Sequence, residues 1–252
     1  MELGLKDKVA LVTGAGSQKG FGKGMVMALA REGCNIVVCD MDIEGAEKTA
    51  VDARALGRKA IALKMDVTKS AEVKEAVDAA LKEFGRIDIL MNNAGVGTQP
   101  KPFVASTEEE WDTNININLR GTMNVTKAVL PQMIERKSGK IVSMSSTAGL
   151  AGMSTGGVYG AAKAGIVILT SALSKELEES NINVNCIAPG LGATNFHVAS
   201  NFPQEYIDKM LPEMLAAGKT TTPEEIGNTA AFLSSDVSRR INGQCIRVSG
   251  LM

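Results

Sequence analysis

Side chains that bind metal ions are scarce in this sequence. Its 252 residues include a single histidine, His197, and four cysteines that form no C-x-x-C pair. One histidine without a neighbouring cluster of cysteines or carboxylates cannot complete a zinc site, so we predict no metal centre. Cys34, Cys39, Cys186 and Cys245 stand among apolar neighbours, which favours buried, reduced thiols over disulfides.

The sequence also lacks an excess of charge and a long apolar run. Lysines and arginines number 27 against 28 aspartates and glutamates, and the formal net charge of -1 gives no indication of a nucleic-acid partner. Residues 1–8 lead directly into an apolar strand and do not have the uncharged core of a secretory signal. No apolar run approaches the roughly 18 residues that span a bilayer. We therefore expect a cytoplasmic protein with no membrane partner.

Short runs rich in β-branched residues alternate with longer stretches of helical periodicity. Strands are predicted at residues 9–13, 35–39, 60–65, 89–92, 140–145, 183–187 and near 244–248. Helices are predicted at 20–32, 43–56, 71–84, about 107–136 and about 158–179. Strands that are apolar almost throughout are typical of a parallel sheet covered on both faces. The pattern predicts an α/β fold: a single-domain, Rossmann-type doubly wound parallel sheet of about seven strands flanked by helices.

No repeat, low-complexity tract or linker interrupts this alternation, so we expect residues 1–252 to form one dinucleotide-binding catalytic domain. The irregular segment 191–222 is predicted to be a substrate loop with short helices, bordered by His197. Its apolar side chains fit equally well a lid over the substrate and the packed face of a short helix. These side chains are Phe196, Phe202, Met210, Leu211, Met214 and Leu215.

A glycine-rich turn follows the first strand. Thr13 and Gly14 end the strand, Gly20 and Gly22 open the next helix, and five residues separate Gly14 from Gly20. Glycines at such a turn let backbone N–H groups and the helix N-terminus approach a pyrophosphate, although a tight turn without any ligand has the same signature. Cofactor contacts are predicted from Gly14, Ser17, Gln18, Gly20, Phe21 and Gly22.

An acidic residue ends the second strand. Asp40 lies 18 residues beyond Gly22 and is followed by Met41, and both are predicted to contact the adenosine end of a dinucleotide. A carboxylate at this position accepts hydrogen bonds from ribose hydroxyls and repels a 2′-phosphate, which favours NAD over NADP. Lys19 favours NADP, because a basic side chain beside the glycines can bind a 2′-phosphate. Asp40 taken alone is also a common turn residue at the end of a strand.

Three further motifs follow in the order of the predicted strands: Asn92-Asn93-Ala94-Gly95, Tyr159-Gly160-Ala161-Ala162-Lys163, and Pro189-Gly190. Together with the glycine-rich turn, they make the chain resemble the short-chain dehydrogenase/reductase family from end to end. The resemblance implies an oxidoreductase that transfers a hydride between a nicotinamide cofactor and a secondary alcohol or ketone. It implies four catalytic residues: Asn118 in an Asn-Leu-x-Gly context, Ser146 thirteen positions before the tyrosine, Tyr159 and Lys163.

The resemblance also implies further cofactor contacts and an oligomer. In the family, an aspartate and its neighbour after the third strand hold the adenine, the turn after the fourth strand supports the cofactor, and a threonine after Pro-Gly contacts the nicotinamide carboxamide. Members commonly form tetramers through the helices after strands four and five, so we expect a homotetramer. The matching cofactor positions here are Asp66, Val67, Asn93, Ala94, Gly95, Tyr159, Lys163, Pro189, Gly190 and Thr194.

The glycine-rich turn departs from the family pattern, in which three residues and not five separate the first two glycines. Counting from Gly16 restores that spacing, but it loses the threonine and displaces the turn from the strand end. We therefore keep Gly14 as the first glycine and expect Ser17 or Gln18 to bulge. Enoyl reductases of the same superfamily also have longer glycine segments, but their tyrosine and lysine stand farther apart than the pair in this chain.

Tyr159 and Lys163 are four residues apart on a predicted helix and share one face. A free phenol has a pKa of roughly 10, and a nearby positive charge stabilises phenolate, so Lys163 is expected to lower the pKa of Tyr159. Tyr159 is then the acid/base, Ser146 binds the substrate oxygen, and Asn118 holds a helix irregularity and a water. An amphipathic surface pair has the same spacing, but Ser146 argues against it. Tyr206, the only other tyrosine, has no such partners.

Three functions fit these residues. The first is an NAD-dependent secondary-alcohol dehydrogenase or ketone reductase, and the apolar composition of segment 191–222 favours a medium-sized cyclic or aliphatic alcohol. The second is an NADPH-dependent 3-oxoacyl-thioester reductase. The third is a nucleotide-sensing regulator without catalysis, against which the complete set of four catalytic residues argues.

Overall fold

The structure is a computed structural model, and it describes residues 2–192, 194–200, 202–218 and 220–249. Each strand begins and ends within two residues of its predicted bounds. The strands are β1 (Val9–Thr13), β2 (Asn35–Asp40), β3 (Ala60–Lys64), β4 (Ile89–Asn92), β5 (Gly139–Met144), β6 (Ile182–Pro189) and β7 (Cys245–Val248).

Helices connect successive strands. Those of the described residues are α1 (Phe21–Arg31), α2 (Ile43–Ala55), α3 (Ser70–Phe84), α4 (Glu108–Asn114), α5 (Gly121–Arg136), α6 (Ala148–Ala151), α7 (Gly157–Glu176), α8 (Phe196–Ala199), α9 (Gln204–Ala216) and α10 (Pro223–Ser234). A π-helical segment at Ile115–Arg120 lies between α4 and α5, and short 3₁₀ turns lie at Phe103–Ala105, Glu178–Ser180 and Asp236–Ser238.

All seven strands pair in parallel, in the order β3-β2-β1-β4-β5-β6-β7. The chain proceeds from β1 to β2 and β3 on one side and continues with β4 on the other side, so the strand order reverses between β1 and β4. Ligands of open α/β sheets bind outside the carboxyl ends of the strands at such a switch point. The predicted doubly wound, Rossmann-type parallel sheet is confirmed.

Side chains of each strand alternate between the two faces of the sheet. In β1, Ala10 and Val12 join the core beneath α1 and α10, whereas Val9 and Leu11 join the core beneath α3 and α5. Since helices cover both faces, nearly every strand position is buried, which explains the apolar composition of the strands.

The helical region predicted at 107–136 is not one continuous helix. It consists of α4, the π-helical segment and α5. Helix α4 begins with a capping box, in which Thr107 and Glu110 each bond the backbone N–H of the other. The change of hydrogen-bond pattern falls on Ile115–Arg120, and such π-helical turns are frequent at functional sites.

Helix α10 is missing from the predicted elements. A capping box between Thr222 and Glu225 begins it, and Pro223 occupies its first turn. Gly227 lies against Gly24 of α1, so these two helices approach closely without large apolar side chains between them. The buried Ile226, Ala230 and Leu233 follow a helical period, which the sequence analysis did not use.

Helix α7 is long and apolar enough to cross a membrane by length and composition alone. It lies against β5 and β6, and its buried residues include Lys163, Ile166 and Thr170. Its apolar composition is that of a helix packed on a sheet.

Candidate active site

The glycine-rich turn is joined to the turn after β4 by side-chain hydrogen bonds. The Thr13 hydroxyl accepts from the backbone N–H groups of Asn93 and Ala94, both at 3.0 Å. The Asn93 amide donates to the carbonyls of Thr13 at 2.9 Å and Gly14 at 2.8 Å. Gly14 has a φ of 65°, and a Cβ there would lie 2.7 Å from the Cα of Ala94, so the close approach requires glycine. The two turns form one edge at the switch point.

The additional residues of the glycine-rich turn lie beyond Gly14. The N–H of Gly20 donates to the carbonyl of Ser17 at 3.1 Å, which closes a tight turn through Gln18 and Lys19. Ser17, Gln18 and Lys19 are all exposed. The expected bulge is therefore found here, and Gly14 keeps its place at the strand end.

Asp40 faces the glycine-rich turn from the end of β2. Its Oδ2 accepts from the N–H of Gly16 at 2.7 Å, and its Oδ1 accepts from the N–H of Asp42 at 3.0 Å. Met41 beside it is exposed. Lys19, which favoured NADP, forms no hydrogen bond or ion pair with another described residue.

Asp66 and Val67 follow β3 at the same edge of the sheet. The Asp66 carboxylate accepts from the Thr68 N–H at 2.9 Å and from the Thr68 hydroxyl at 2.7 Å. Burial raises the pKa of Asp66, but the two bonds from Thr68 with the charge of Lys69 outweigh burial, so the pKa is lowered. Val67 is buried, and its carbonyl accepts from the Asn124 amide at 2.9 Å. Both predicted adenine contacts therefore have fixed positions.

Ser146 and Tyr159 meet beyond the carboxyl end of β5. Ser146 follows that strand, and Tyr159 lies in the first turn of α7. The Ser146 hydroxyl acts on that of Tyr159 and lowers the pKa of the phenol. The Ser146 Oγ also accepts from the N–H of Ala148 at 3.2 Å, which fixes the serine side chain. Two hydroxyls arranged in this way can hold one substrate oxygen between them.

Lys163 lies one helical turn beyond Tyr159. Its Nζ donates to the carbonyl of Met144 at 2.9 Å and lies 5.7 Å from the centre of the Tyr159 ring. The Ser145 hydroxyl donates to the Lys163 carbonyl at 2.8 Å, so α7 is tied to the end of β5. The lysine is only 4% exposed.

Asn118 lies in the π-helical segment and is fully buried. Its Nδ2 donates to the carbonyls of Val96 at 2.9 Å and Asn114 at 3.0 Å, and its Oδ1 accepts from the Val96 N–H at 3.2 Å. Gly95 lies beside both Asn118 and Lys163. The asparagine therefore holds the helix irregularity and ties it to the turn after β4.

The electrostatics of the α7 pair differ from our expectation. Burial raises the pKa of Tyr159 to about 12, and the hydrogen bond with Ser146 lowers it only in part. Burial also lowers the pKa of Lys163 to about 7. The prediction that Lys163 brings the phenol below its ordinary pKa is wrong for the protein without cofactor, because desolvation disfavours the charged form of both groups.

Aromatic side chains of the substrate loop cover Tyr159. The Phe196 ring lies 6.0 Å from the Tyr159 ring, tilted by 52°. His197 packs edge-on against Phe196 at 5.9 Å and Phe202 at 5.0 Å. Burial lowers the pKa of His197, and its Nδ1 has no hydrogen-bond partner among the described residues. These contacts place His197 beside Phe196 and Phe202, two of the side chains predicted either to form a lid or to pack on a short helix.

A hydrogen bond fastens this aromatic cover to the segment after β4. The Ser200 hydroxyl accepts from the N–H of Gly97 at 2.8 Å. The side chains predicted to complete the lid lie outside the described residues, as does that of Tyr206. They are Met210, Leu211, Met214 and Leu215.

Pro189, Gly190 and Thr194 lead from β6 into the substrate loop. Pro189 ends β6, and the N–H of Gly190 donates to the carbonyl of Val248 at 2.9 Å. Thr194 is buried, and its hydroxyl accepts from the N–H of Phe196 at 3.2 Å. The predicted nicotinamide contact therefore lies directly before α8.

The two ends of the substrate loop are joined at the sheet. The N–H of Thr221 donates to the carbonyl of Leu191 at 2.7 Å, and Gly192 and Thr221 form a parallel bridge. The Phe21 ring at the start of α1 lies against Gly192, next to Gly22. The predicted cofactor residue Phe21 thus connects the glycine-rich turn with the substrate loop.

Two connections of the site have no signal in the sequence. Gly97 and Ser200 are far apart in the chain, and neither residue belongs to a motif. The side chain of Gln18 reaches α2, as described below. Both depend on how loops meet in space, which periodicity and motif spacing do not report.

No three metal-binding side chains come together among the described residues. All four cysteines are free, and Cys34, Cys39 and Cys186 are buried, whereas Cys245 is partly exposed.

Known proteins resemble nearly the whole chain. The profile of the family described as short chain dehydrogenase matches residues 8–204. A 3-oxoacyl-(acyl-carrier-protein) reductase of Thermotoga maritima is 37% identical over 246 residues, which cover 98% of each chain. A subunit of the (2S)-((R)-hydroxy(phenyl)methyl)succinyl-CoA dehydrogenase of Thauera aromatica is 37% identical over 98% of this chain and 97% of its own. The crystal structure of 3-ketoacyl-(acyl-carrier-protein) reductase from Brucella melitensis complexed with NADH has a TM-score of 0.87 and 33% identity, and the match covers 97% of both chains.

Proposed function

Because the chain belongs to the short-chain dehydrogenase/reductase family, we propose that it interconverts a secondary alcohol and a ketone with NAD as the cofactor and Tyr159 as the acid/base. It is an oxidoreductase of CH–OH and keto groups, and its family binds a nicotinamide cofactor. The observation that carries the proposal is the position of Ser146 and Tyr159 together beyond the end of β5, one helical turn from the buried Lys163. A regulator that only senses nucleotides does not require this arrangement.

Ser146 and Tyr159 act on the same substrate oxygen. During oxidation the Tyr159 phenolate removes the alcohol proton, and during reduction the Tyr159 hydroxyl returns it. The Ser146 hydroxyl donates a hydrogen bond to the substrate oxygen in both directions. When bound, the nicotinamide accepts or donates the hydride.

Lys163 and Asn118 support this proton transfer. The ammonium form of Lys163 favours the phenolate of Tyr159, and its Nζ has further N–H donors beyond the bond to Met144 for the nicotinamide ribose. Asn118 holds the π-helical segment against the turn after β4. We assign to that segment a water that relays protons between Lys163 and solvent.

We assign the adenosine ribose of NAD to Asp40. Gly16 and Asp42 occupy two of the roughly four acceptor positions of its carboxylate, so about two remain for the vicinal ribose hydroxyls. A 2′-phosphate would meet the negative charges of Asp40 and Asp42. The Brucella melitensis relative complexed with NADH supports this assignment. Measuring kcat/KM with NAD and with NADP tests it, and a clear preference for NADP would overturn it.

We propose a medium-sized apolar alcohol or ketone as the substrate. Phe196 lies against Tyr159, so the reacting carbon enters a site with an aromatic wall. Assay of a panel of cyclic and aliphatic secondary alcohols with NAD tests this class.

A 3-oxoacyl thioester is the second candidate substrate. It is favoured by the names of relatives from Thermotoga maritima and Brucella melitensis, which are reductases of acyl-carrier-protein thioesters. Acetoacetyl-CoA with NADPH separates the two candidates. A kcat/KM above that of every alcohol and ketone in the panel would identify the thioester reductase.

We propose that the protein acts as a cytoplasmic homotetramer, with the whole chain as one catalytic domain. On α5, Met123 and Ile134 are each 42% exposed, and on α7 Ile168 is 70% exposed. Exposed apolar side chains on these helices suit burial against a neighbouring subunit. Size-exclusion chromatography with light scattering is expected to give about four times the chain mass of 26.5 kDa, and the mass of a monomer would contradict the assembly.

A further inference from the structure

The side chain of Gln18 connects the glycine-rich turn with two helices. Its Nε2 donates to the carbonyls of Gly16 at 2.8 Å and Gly45 at 3.0 Å, and it lies 3.2 Å from the Thr49 hydroxyl. Its Oε1 accepts from the Nζ of Lys23 at 2.5 Å. One neutral amide therefore holds the turn against the first turns of α2 and α1.

These contacts lead directly to Asp40. Gly16, whose carbonyl accepts from Gln18, donates its N–H to the Asp40 Oδ2 at 2.7 Å. The Thr49 hydroxyl, which Gln18 contacts, donates to the carbonyl of Ala15 at 2.8 Å. A Cβ on Gly16 would lie 2.9 Å from the Asp40 Cγ, so the turn and the carboxylate are in direct contact. Because the N–H and the carbonyl of Gly16 are both bonded, the orientation of this residue is fixed from two sides.

We propose that Gln18 is a positioning residue for cofactor selection. By holding the N–H of Gly16 on Asp40, it sets the direction in which the carboxylate presents its remaining acceptor positions to the adenosine ribose. The inference rests on the proposed NAD dependence. Without the Gln18 amide, the lengthened turn is free to withdraw from Asp40, the carboxylate can rotate, and its preference for a ribose diol over a 2′-phosphate falls.

The positioning role proposed for Gln18 can be distinguished from an electrostatic role by the charges around it. Lys23, the basic residue in contact with Gln18, is paired with Asp52 at 2.6 Å. Since Gln18 is neutral, its replacement by alanine changes the geometry of Asp40 and leaves the formal charge of the site as it was. A loss of discrimination in that variant therefore reports on position.

Two variants at Gln18 and one neighbouring control test the proposal in binding experiments. Gln18→Ala removes all contacts, whereas Gln18→Glu keeps the length and an oxygen for Lys23 but has no N–H donors for Gly16 and Gly45. Val51→Ala, the control, alters an exposed residue of α2 and leaves the formal charge unchanged. Dissociation constants for NADH and NADPH are measured by fluorescence titration of each full-length protein.

Both Gln18 variants are expected to weaken NADH binding about tenfold, which corresponds to the loss of one or two hydrogen bonds, and to change NADPH binding by less than about threefold. Val51→Ala is expected to retain the wild-type affinity for both cofactors. The wild-type ratio of the two constants tests the NAD assignment, and only the change of that ratio in the variants tests Gln18. A ratio for Gln18→Ala within about twofold of the wild type would overturn the proposal.

Hydrogen exchange in the cofactor-free protein gives a second readout. The Gly16 N–H is expected to exchange about tenfold faster in both Gln18 variants and at the wild-type rate in Val51→Ala. Unchanged thermal midpoints would show that the variants stay folded. If the wild type prefers NADPH, the NAD assignment fails, and the exchange of Gly16 still decides whether Gln18 holds the turn. Equal exchange in all four proteins would refute that role.

Discussion

The Nζ of Lys163 lies 5.7 Å from the centre of the Tyr159 ring, and both side chains are removed from water. Burial opposes charge on each of them, so it raises the pKa of the phenol to about 12 and lowers that of the lysine to about 7. A group that titrates near neutral pH gains and loses a proton readily. The pair is therefore suited to passing a proton.

Replacing the phenol hydroxyl is expected to remove catalysis and spare binding. Tyr159→Phe keeps the ring that contacts Phe196 but has no group to exchange a proton with the substrate. We expect kcat to fall by about a thousandfold, within the range of general acid–base catalysis. Steady-state kinetics and NADH titration check this, and activity within about tenfold of the wild type would refute the assigned mechanism.

Removal of the Ser146 hydroxyl is expected to shift the pH profile. The hydrogen bond with Ser146 lowers the pKa of Tyr159, so Ser146→Ala raises it further. The rising limb of kcat/KM for alcohol oxidation then moves to higher pH, because phenolate forms later. The profile of Ser154→Ala, an exposed serine before α7, serves as the control. A profile of Ser146→Ala that matches the control would show that the bond does not act on the phenol.

Lys163 is expected to destabilise the fold while it serves catalysis. The folded pKa of about 7 lies below the ordinary 10.5, so the unfolded chain binds more protons between these values and stability rises with pH across that window. Below about pH 7 Lys163 is charged in the folded and the unfolded protein. Burial of this charge then lowers the free energy of unfolding by roughly a few kcal/mol. Lys163→Met is therefore expected to be inactive and to gain more stability at pH 6 than at pH 9.

Urea unfolding at both pH values checks this prediction. Lys175→Met, which alters an exposed lysine of the same helix, is the matched control and should show no such pH dependence. A Lys163→Met protein whose gain is equal at pH 6 and pH 9 would contradict the burial of an unfavourable charge.

Thr13 is expected to be essential for the edge formed by the two turns. Its hydroxyl accepts from two backbone N–H groups, those of Asn93 and Ala94, and the residue is 1% exposed. Thr13→Val keeps the shape but removes this acceptor. The N–H of Asn93 retains the carbonyl of Met91 at 3.1 Å, whereas that of Ala94 loses its partner, which costs about 1 to 3 kcal/mol of unfolding free energy. Thr13→Ser keeps the acceptor and should lose far less. Urea denaturation compares the two, and equal losses would assign the effect to packing.

The sheet could be predicted because its strands satisfy one simple condition. Residues 9–13 are buried on both faces, so a short apolar run between turns identifies the strand, and the same holds for β2 and β4. Ser146, Tyr159 and Asn118 could be predicted because motif spacing fixes their distance from strand and helix ends. In the structure Ser146 follows β5, and Tyr159 lies in the first turn of α7.

Other features could not be predicted because they depend on close packing and desolvation. Helix α10 approaches α1 through Gly227 and Gly24, a close contact that depends on how the two helices pack. The pKa values of Tyr159 and Lys163 depend on how much water surrounds them, and the four-residue spacing carries no information about that. The reach of Gln18 to Gly45 depends on the conformation of a turn longer than its family's pattern.

The bridge between Gly192 and Thr221 joins the two ends of the substrate loop. The chain leaves and returns at one place. Insertions, deletions or exchanges between these residues therefore need not move β6, β7 or α7. With this arrangement, exchange of the substrate loop can change the substrate while the residues assigned to proton transfer keep their positions. Grafting the corresponding loop from a relative of known substrate is therefore a direct route to changing what this scaffold turns over.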